Sequence, residues 1–511
     1  MPEHLRAFVV ICGLMLLAYA ISRRLFAHAL EPKFVDRLYG AGIGATAIMF
    51  LAHDMWVFLG GLALLSFLAA RRFTHPLALF VFLLLLMPGY QVQVPGFGLI
   101  NYLIDLNPWR VLSITVLLPA AVHLAANRAL PRPGKLWADK LVVTYALYTA
   151  ALNYVHFDTF TGGLRSLVGA VLESMLIYFV ASRALMLKGA VRHVMVALVA
   201  AAIFLALVGA FEFSRHWILY SGVQRALGGN TGLFGYLGRG ETLRALATTG
   251  QPIVLGFVMM VALLFTFYVQ RWVPRGAMRT LLWLLMGMGL VAAMSRGPWV
   301  GAAIGLFVIA LASTNPLGNV LKLLMASFGA AVMLVMLPGG EKILDYLPWV
   351  GSIDAGNITY RELLWQQTQL VVAQNLWIGS IGYTESPLFD VVRQGGGFVD
   401  IVNSYLGVAL AYGVVGLSLY VLIILVATLP TLRSVFHNQK SLAEPAIYGM
   451  ALIASMVAAF VTIWTVSSIN QIAPLVWLLI GAGVAFGTVG LRQVSHANMP
   501  PSLVGNRLIL R

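Results

Sequence analysis

The stretch AVRHVMVALVAAAIFLALVGAFEF at residues 190–213 decides the fold, because Val194–Phe211 carries no charged side chain. A helix needs about 20 apolar residues to cross the hydrocarbon core of a bilayer. Similar runs recur along most of the 511 residues, of which 60% are hydrophobic and 10% charged. A soluble domain carries about 25% charged residues. The sequence therefore predicts an all-α, polytopic transmembrane protein.

Fifteen apolar runs are candidate membrane spans, and 38–53 and 55–70 could form one long bent span, so we expect about 12–15 spans. The runs are 5–21, 38–53, 55–70, 76–94, 109–126, 137–154, 164–184, 190–213, 251–270, 279–294, 297–312, 319–337, 403–428, 447–466 and 471–490. With the amino terminus outside, most of the 33 Lys and Arg residues lie at cytoplasmic connections, as the positive-inside rule requires. Arg23-Arg24 follows the first run, which indicates a first span rather than a cleaved signal peptide.

The spans divide the chain into five segments. They are N-terminal transmembrane helices (1–213), a transmembrane core with arginine motifs (214–337), a periplasmic loop (338–402), C-terminal transmembrane helices (403–490) and a cytoplasmic tail (491–511). Within the loop, Asp354–Asn357 could cap an amphipathic helix from Ile358 to Asn375, with apolar positions that include Leu364 and Leu370. We expect this helix to lie at the outer membrane interface.

Composition excludes several classes of function. The single cysteine, Cys12, excludes an intramolecular disulfide and a cysteine-based metal site. The net charge of +15 is typical of loops that face anionic lipid headgroups, and no basic face with interleaved aromatic residues indicates nucleic-acid binding. The histidines show no metal-ligand spacing, and no phosphate-binding loop, dinucleotide motif or nucleophile elbow is present.

Basic residues outside the cytoplasmic connections are almost all arginine. Those beside the outer face are Arg215, Arg225, Arg239, Arg244, Arg296, Arg361 and Arg393. A planar guanidinium binds phosphate or carboxylate with two parallel hydrogen bonds, which the point charge of lysine does not. The set therefore indicates an anionic group that is held on the outer side.

Two motifs lie beside spans on the outer face. Ser295-Arg296-Gly297-Pro298-Trp299 forms a very short connection, where Arg296 either holds an anion or reaches lipid headgroups. The stretch from Glu241 and Arg244 to Gln251-Pro252 leads into a span, so it either binds phosphate oxygens at a helix start or serves as ordinary capping.

Two further motifs lie in and after the long loop. Arg361-Glu362 opens the amphipathic helix and is either functional or a solvated helix face. Asp400 precedes the Asn403-Ser404-Tyr405-Leu406 sequence, in which Asn403 could be a simple cap and Asp400 a hydrated loop charge.

These motifs, in this order, resemble the O-antigen ligase/polymerase family of bacterial envelope enzymes, which comprises Wzy-type polysaccharide polymerases and O-antigen ligases. The resemblance rests on Ser-Arg-Gly-Pro-Trp-Val-Gly at 295–301, on Arg361…Trp365…Gly379…Gly382, and on Asn403-Ser404-Tyr405-Leu406 followed by Tyr412-Gly413…Gly416-Leu417. Arg244 with Gln251-Pro252-Ile253 is most similar to the exopolysaccharide polymerase branch. The resemblance covers about residues 240–425.

The resemblance implies a glycosyltransferase of the bacterial inner (cytoplasmic) membrane with its active site facing the periplasm. Such enzymes transfer a glycan from undecaprenyl pyrophosphate to an acceptor hydroxyl, with no cofactor and no metal. The residues implied as catalytic are Arg244, Arg296, Arg361, Asp400 and Glu241, and those implied as substrate-binding are Arg239, Glu362, Asn403 and Tyr405. The arginines would stabilise the charge that develops on the pyrophosphate leaving group. The implied partners are the lipid-linked oligosaccharide, a growing glycan or lipid acceptor, membrane lipids, and a flippase and chain-length regulator.

One position departs from the ligases of the family. They carry a histidine before the Asn that corresponds to Asn403, and here the residue is Val402. A carboxylate would have to assist the acceptor hydroxyl, with Asp400 nearest in sequence and Glu241 or Glu362 as alternatives. This departure favours a polymerase of repeat units over a ligase that attaches finished glycan to a lipid or protein.

A transporter of lipid-linked sugars or anions is the third hypothesis. It would require several ionisable groups along the spans, because such groups mark ion and substrate pathways. The spans contain about two intramembrane carboxylates, Glu173 and Glu212. The sequence therefore favours an enzyme.

Overall fold

A computed structural model describes residues 2–98, 102–157, 160–228, 234–235, 238–239, 242–336, 355–393, 399–437 and 443–497. The helices are α1 (Glu3–Leu25), α2 (Pro32–Leu51), α3 (Met55–Ala70), α4 (Pro76–Leu86), α5 (Pro108–Leu112), α6 (Leu118–Ala126), α7 (Trp137–Phe157), α8 (Phe160–Ala170), α9 (Leu176–Ala184), α10 (Ala190–Arg215), α11 (Ser221–Ala226), α12 (Pro252–Val269), α13 (Ala277–Ala292), α14 (Arg296–Ala312), α15 (Pro316–Met336), α16 (Ala355–Gln374), α17 (Ser404–His437), α18 (Glu444–Thr462) and α19 (Ile472–Ala497). Single π-helical turns, Ser113–Leu117 and Val171–Met175, join α5 to α6 and α8 to α9.

Strands form only two short antiparallel hairpins in the described part of the chain. They are β1 (Val92–Pro95) with β2 (Tyr102–Leu106), and β3 (Gly238–Arg239) with β4 (Thr242–Leu243). Short 3₁₀ turns lie at Ala247–Thr249, Tyr383–Glu385 and Pro387–Val392. The protein is therefore all-α in its architecture, as the sequence predicts.

Each of the fifteen predicted spans coincides with a helix or with two helices joined by a π turn. Among the described residues, nine of these helical segments are long and apolar enough to cross a membrane, and four apolar helices are shorter. The runs 38–53 and 55–70 form two helices, because the Asp54 side chain caps α3 by accepting from the Trp56 N–H at 2.6 Å. Helix α4 ends at Leu86, earlier than predicted, because Pro88 and Gly89 follow it closely.

The centre of the bundle is formed by α10 and α12, whose most apolar windows are 83% and 89% buried within the protein. For α1 the share is 28%, so α1 lies at the periphery, where its apolar surface would face lipid. Around α10 pack α1, α4, α12 and α13. Helices α17 and α19 pack together on the other side of the bundle, with α9 against α19 and α7 against α17.

Contacts between distant segments define an end of the bundle that we call the outer end. There Glu3 at the amino terminus pairs with Arg225 at 2.8 Å, the Thr248 hydroxyl donates to the Leu85 carbonyl at 2.5 Å, and the Asn470 amide donates to the Thr249 carbonyl at 2.9 Å. The amino-terminal end of α1, the described parts of segment 214–250 and the connection after α18 thus share one face. The sequence assigns this face to the outside.

The loop before α17 contains the amphipathic helix that the sequence predicts, as α16. It begins at Ala355, three residues earlier than expected, and buries Leu364, Thr368 and Val371 on one face against the 3₁₀ turns and the start of α17. Leu370, expected on the apolar face, is 53% exposed, because it lies beside Val371 on the helix and faces away from the packed side.

Candidate active site at the outer end of the bundle

Arg361, Asp400 and Arg296 come together although they lie far apart in sequence. Tyr360 connects the first two: its hydroxyl donates to the Asp400 carbonyl at 2.9 Å and accepts from the Asp400 N–H at 3.1 Å. Asp400 is therefore fixed by its backbone beside the first turns of α16. Arg296 is the first residue of α14 and acts electrostatically on Arg361.

Arg361 has one carboxylate, Asp400, and one further cation, Arg296, as its electrostatic neighbours. Partial burial lowers the pKa of Arg361, Asp400 raises it, and the neighbouring Arg296 lowers it again. Burial raises the pKa of Asp400, and Arg361 opposes that shift. Among the described residues Arg361 forms no ion pair within 4.0 Å, and its one hydrogen bond, to the Thr465 carbonyl, is 3.5 Å long. Arg361 therefore lies close to both a carboxylate and a second guanidinium without forming a close ion pair with either.

The connection Thr462–Gln471, between α18 and α19, holds these elements together. Gly297 approaches it so closely that an added Cβ would lie 2.9 Å from the Thr465 hydroxyl oxygen. On the other side, the Ser404 N–H donates to the Ile463 carbonyl at 2.9 Å, and the Ser404 hydroxyl donates to the Val466 carbonyl at 2.8 Å. The starts of α14, α16 and α17 therefore all contact this one connection.

The sequence motifs do not predict Thr462–Gln471 as part of the site. A signal was present, because Thr465 to Gln471 is a polar run between two spans on the predicted outer face. It carries no charge and matches no motif considered above, so its contacts emerge only when distant segments are brought together.

Arg244 lies on a turn that packs against the end of α13. The Ala245 N–H donates to the Ala292 carbonyl at 3.0 Å, four residues before Arg296. The Arg244 guanidinium is half-buried and has interactions of its own within the protein. The turn is anchored from below by Glu212 of α10, whose carboxylate accepts from the N–H groups of Leu246 and Ala247, both at 2.8 Å.

The two intramembrane carboxylates have structural partners. Glu212, fully buried, also accepts from the Leu219 N–H at 3.1 Å, so three backbone donors satisfy it. Glu173 pairs with Arg110 at 2.7 Å. These contacts hold the two carboxylates in place and do not form a proton or ion relay along the spans. Glu212 stabilises the Arg244 turn.

Backbone strain is concentrated in these connections. Ala247, Met294 and Asn470 have φ values of 46°, 47° and 47°. Residues other than glycine rarely adopt this left-handed region, although Asn tolerates it better than most. Each costs on the order of 1–2 kcal/mol for an ordinary side chain. All three lie within four residues of groups of the cluster or of its supporting connection. Strain of this kind is common at functional sites.

The motif glycines bring the end of α16 against a break in α17. Gly413 has φ 65° inside α17, and the Val414 N–H donates to the Leu376 carbonyl at 2.8 Å instead of continuing the helix. Gly379 has φ 68°, and an added Cβ would lie 2.5 Å from the Gly413 nitrogen. Only glycine fits both positions, so the two motifs form one contact that docks α16 onto the bundle.

The remaining sequence-predicted residues have varied positions. The Asn403 side chain caps α17, accepting from the N–H groups of Tyr405 and Leu406 at 2.9 and 3.1 Å. The Tyr405 hydroxyl donates to the Phe460 carbonyl at 3.0 Å, and Glu362 is exposed on α16 with no described contact to the cluster. Arg239 pairs through its backbone with Thr242, its side chain lies outside the described atoms, and Glu241 lies outside the described residues.

The other outer arginines are already paired or stand apart. Arg225 pairs with Glu3 at 2.8 Å, and Arg393 with Asp390 at 3.2 Å. Arg215 ends α10 and is exposed. Of the seven outer arginines, the described contacts thus bring Arg296 and Arg361 together and put the turn of Arg244 beside them.

The fold and this cluster define a polytopic membrane protein with an arginine-rich site at the outer end of its helix bundle. Residues 280–421 match the family model described as O-antigen ligase (Wzy_C), and this supports the resemblance of the motifs to the O-antigen ligase/polymerase family. Members of that family are glycosyltransferase-like enzymes that act on lipid-linked glycans. The match includes Arg296, Arg361, Asp400 and the α16–α17 contact, and it ends before Thr462. No curated protein matches the chain.

Proposed function

We propose that the protein polymerises undecaprenyl-pyrophosphate-linked oligosaccharide repeat units into exopolysaccharide or O-antigen at the periplasmic face of the inner membrane. The observation that carries this proposal is the convergence of Arg296, Arg361 and Asp400 on one connection. Two neighbouring guanidinium groups favour a ligand with more than one negative charge. A lipid pyrophosphate has this charge.

In the proposed reaction, a hydroxyl oxygen of the acceptor sugar attacks the anomeric carbon of the donor glycan. The bond from that carbon to the pyrophosphate oxygen breaks, and the pyrophosphate leaves with the electron pair. Arg296 and Arg361, with Arg244 beside them, stabilise the charge that appears on its oxygens. The hydroxyl proton passes to the Asp400 carboxylate, whose raised pKa makes it a better proton acceptor than an ordinary aspartate.

The residue at the position of the ligase histidine, Val402, favours a polymerase over a ligase. Val402 packs with Leu364 and Ile401 in the apolar cluster beneath α16, so it contributes packing at this position and no titratable group. A ligase that attaches finished glycan to a lipid or protein remains the second candidate. Deletion of the gene distinguishes the two: loss of a polymerase leaves single lipid-linked repeat units, and loss of a ligase leaves long lipid-linked chains.

The role of the arginines is tested by Arg296→Lys, which keeps the charge and removes the planar fork. We expect polymer length and yield in cells to fall severely, because two parallel hydrogen bonds to pyrophosphate are lost. Arg225→Lys is the matched control, since Arg225 also lies at the outer end but is paired with Glu3. Normal polymer from Arg296→Lys at equal expression contradicts the proposed role.

A further inference from the structure

A cavity of about 400 Å³ opens beside the arginine cluster and reaches in among the helices. Val399 and Ile401, the neighbours of Asp400 on either side, form part of its wall, as does Ser467 of the connection that accepts the Arg361 hydrogen bond. The cavity therefore begins where the proposed reaction takes place. Its volume is that of a site for a small ligand or part of a larger one.

The described lining is aromatic and hydroxyl-rich, with no Lys, Arg, Asp or Glu. It contains four tyrosines, one tryptophan, four serines and one asparagine. The aromatic residues contact one another: the ring centroids of Tyr145 and Tyr420 are 5.8 Å apart, and those of Tyr420 and Trp477 are 6.5 Å apart. A neutral ligand with both apolar faces and hydroxyl groups suits such a wall, and a charged one does not.

Two polar groups in this wall have hydrogen-bonding capacity that the described residues do not use. Tyr420 and Trp477 are both 6% exposed, and neither the Tyr420 hydroxyl nor the Trp477 indole N–H has a hydrogen-bond partner among the described residues. Neither atom is fully enclosed by the protein, and such groups usually find a partner. These two line the cavity, so a ligand there can supply the partners.

We infer that this cavity binds one or more neutral sugar rings of the acceptor glycan. The C–H faces of a pyranose ring pack on aromatic rings, and its hydroxyl groups pair with the Tyr420 hydroxyl and the Trp477 N–H. This inference rests on the proposed function, because it assigns the acceptor side of that reaction. The arginines hold the pyrophosphate of the donor, and the cavity brings the acceptor hydroxyl to Asp400.

A polyprenyl chain is the alternative occupant. It would pack on the aromatic rings but would offer no hydrogen-bond partner to the Tyr420 hydroxyl or the Trp477 N–H, which is unfavourable. The hydroxyl-rich wall therefore favours the glycan, and the test below includes a lipid probe that decides between them.

The test measures binding rather than transfer. Oligosaccharides of one to three repeat units, prepared by partial hydrolysis of the cell's own polysaccharide, are titrated onto purified protein in lipid nanodiscs and followed by saturation-transfer NMR. Alkyl maltoside detergents are avoided, because their sugar headgroups would compete. Trp477→Leu should weaken glycan binding at least tenfold, and Tyr420→Phe by about three- to tenfold, the effect of one hydrogen bond.

Tyr448→Phe is the matched control. Tyr448 is 4% exposed, and its hydroxyl likewise has no partner among the described residues, but it lies at the other end of the bundle. Removing its hydroxyl should leave glycan binding unchanged. Tyr420→Phe and Tyr448→Phe are nearly isosteric with the native side chains, so both variants should fold, which thermal unfolding checks.

Two results overturn the inference. One is wild-type glycan affinity in both Trp477→Leu and Tyr420→Phe. The other is a loss of geranylgeranyl pyrophosphate binding in Trp477→Leu with glycan binding intact, which would assign the cavity to the prenyl chain. Failure of the proposed function has a different signature: full polymer formation in Arg296→Lys, whatever the cavity variants do.

Discussion

The two ends of the helix bundle use arginine in opposite ways. At the inner end, Arg183 is 0% exposed and binds both oxygens of Asp139, at 2.8 and 2.5 Å, while the Tyr178 hydroxyl donates to the same carboxylate at 2.8 Å. At the outer end, Arg361 is exposed, and its one described hydrogen bond is 3.5 Å long.

This difference separates arginines that stabilise the fold from arginines that can bind a ligand. A guanidinium with a bidentate carboxylate partner is satisfied within the protein, and it contributes to the native structure. Arg361 has Asp400 near it but also Arg296, so an added anion would relieve repulsion as well as form hydrogen bonds.

Arg361→Ala should lower the transfer rate by about 100- to 1,000-fold, the usual effect of removing one donor to a developing anion. Stability should change little, because Arg361 has no ion pair among the described residues. The rate is measured with purified protein and lipid-linked repeat units, and folding by thermal unfolding. Loss of folding together with activity would make Arg361 a structural residue and remove the contrast.

Arg183→Met should have the opposite profile. Removing one partner of a buried ion pair costs about 3–5 kcal/mol, because Asp139 is left buried and uncompensated. The yield of folded protein should fall, while activity per folded molecule stays near wild type. Replacing Asp139 as well, in Arg183→Met/Asp139→Leu, should recover much of the stability. Normal stability of the single variant would show that the pair does not contribute as described.

The transfer rate should fall at acidic pH, because Asp400 becomes protonated there. Burial raises its pKa above the ordinary value of 3.8, so the base form is lost as pH falls through a value higher than is usual for aspartate. The rate should therefore fall on acidification at that pH, and Asp400→Asn should lower the plateau about 100-fold and flatten the limb. Asn is nearly isosteric with Asp, and the Tyr360 contacts use the backbone of residue 400, so the fold should be kept. An unchanged acidic limb in Asp400→Asn would assign the titration to another group.

Arg225→Ala is expected to have the smallest effect. The Arg225–Glu3 pair is exposed, with the two side chains 71% and 41% accessible, and such pairs contribute about 0–1 kcal/mol. Polymer length and stability should both stay near wild type. A strong defect in this variant would mean that outer arginines act collectively rather than through the cluster.

The sequence alone predicts the helices well and the site in part. All fifteen predicted runs fall on helices because apolar runs of about 20 residues are a strong local signal, and the glycine and arginine motifs are recognised by their order. Three sets of contacts were not predicted. They are the close approach of Gly379 to Gly413, the hydrogen bonds between Tyr360 and Asp400, and the contacts of Thr462–Gln471. Each joins residues more than 30 positions apart, and no local pattern encodes them.

The role of Glu212 shows the same limit in another form. A carboxylate within a span indicates function by default, and the sequence offers no partner for it. In the fold, the backbone N–H groups of Leu219, Leu246 and Ala247 donate to its side chain. Glu212 is therefore an anchor for the Arg244 turn. The carboxylate within the span is important, but for the structure of the Arg244 turn rather than for a relay.

The central claim is that the outer cluster binds lipid pyrophosphate, and direct binding of geranylgeranyl pyrophosphate to the purified protein tests it without requiring transfer. We predict that Arg361→Ala and Arg296→Ala each weaken binding at least tenfold, that Arg225→Ala does not, and that geranylgeranyl monophosphate binds more weakly than the pyrophosphate. Wild-type affinity for the pyrophosphate in both cluster variants would contradict the account.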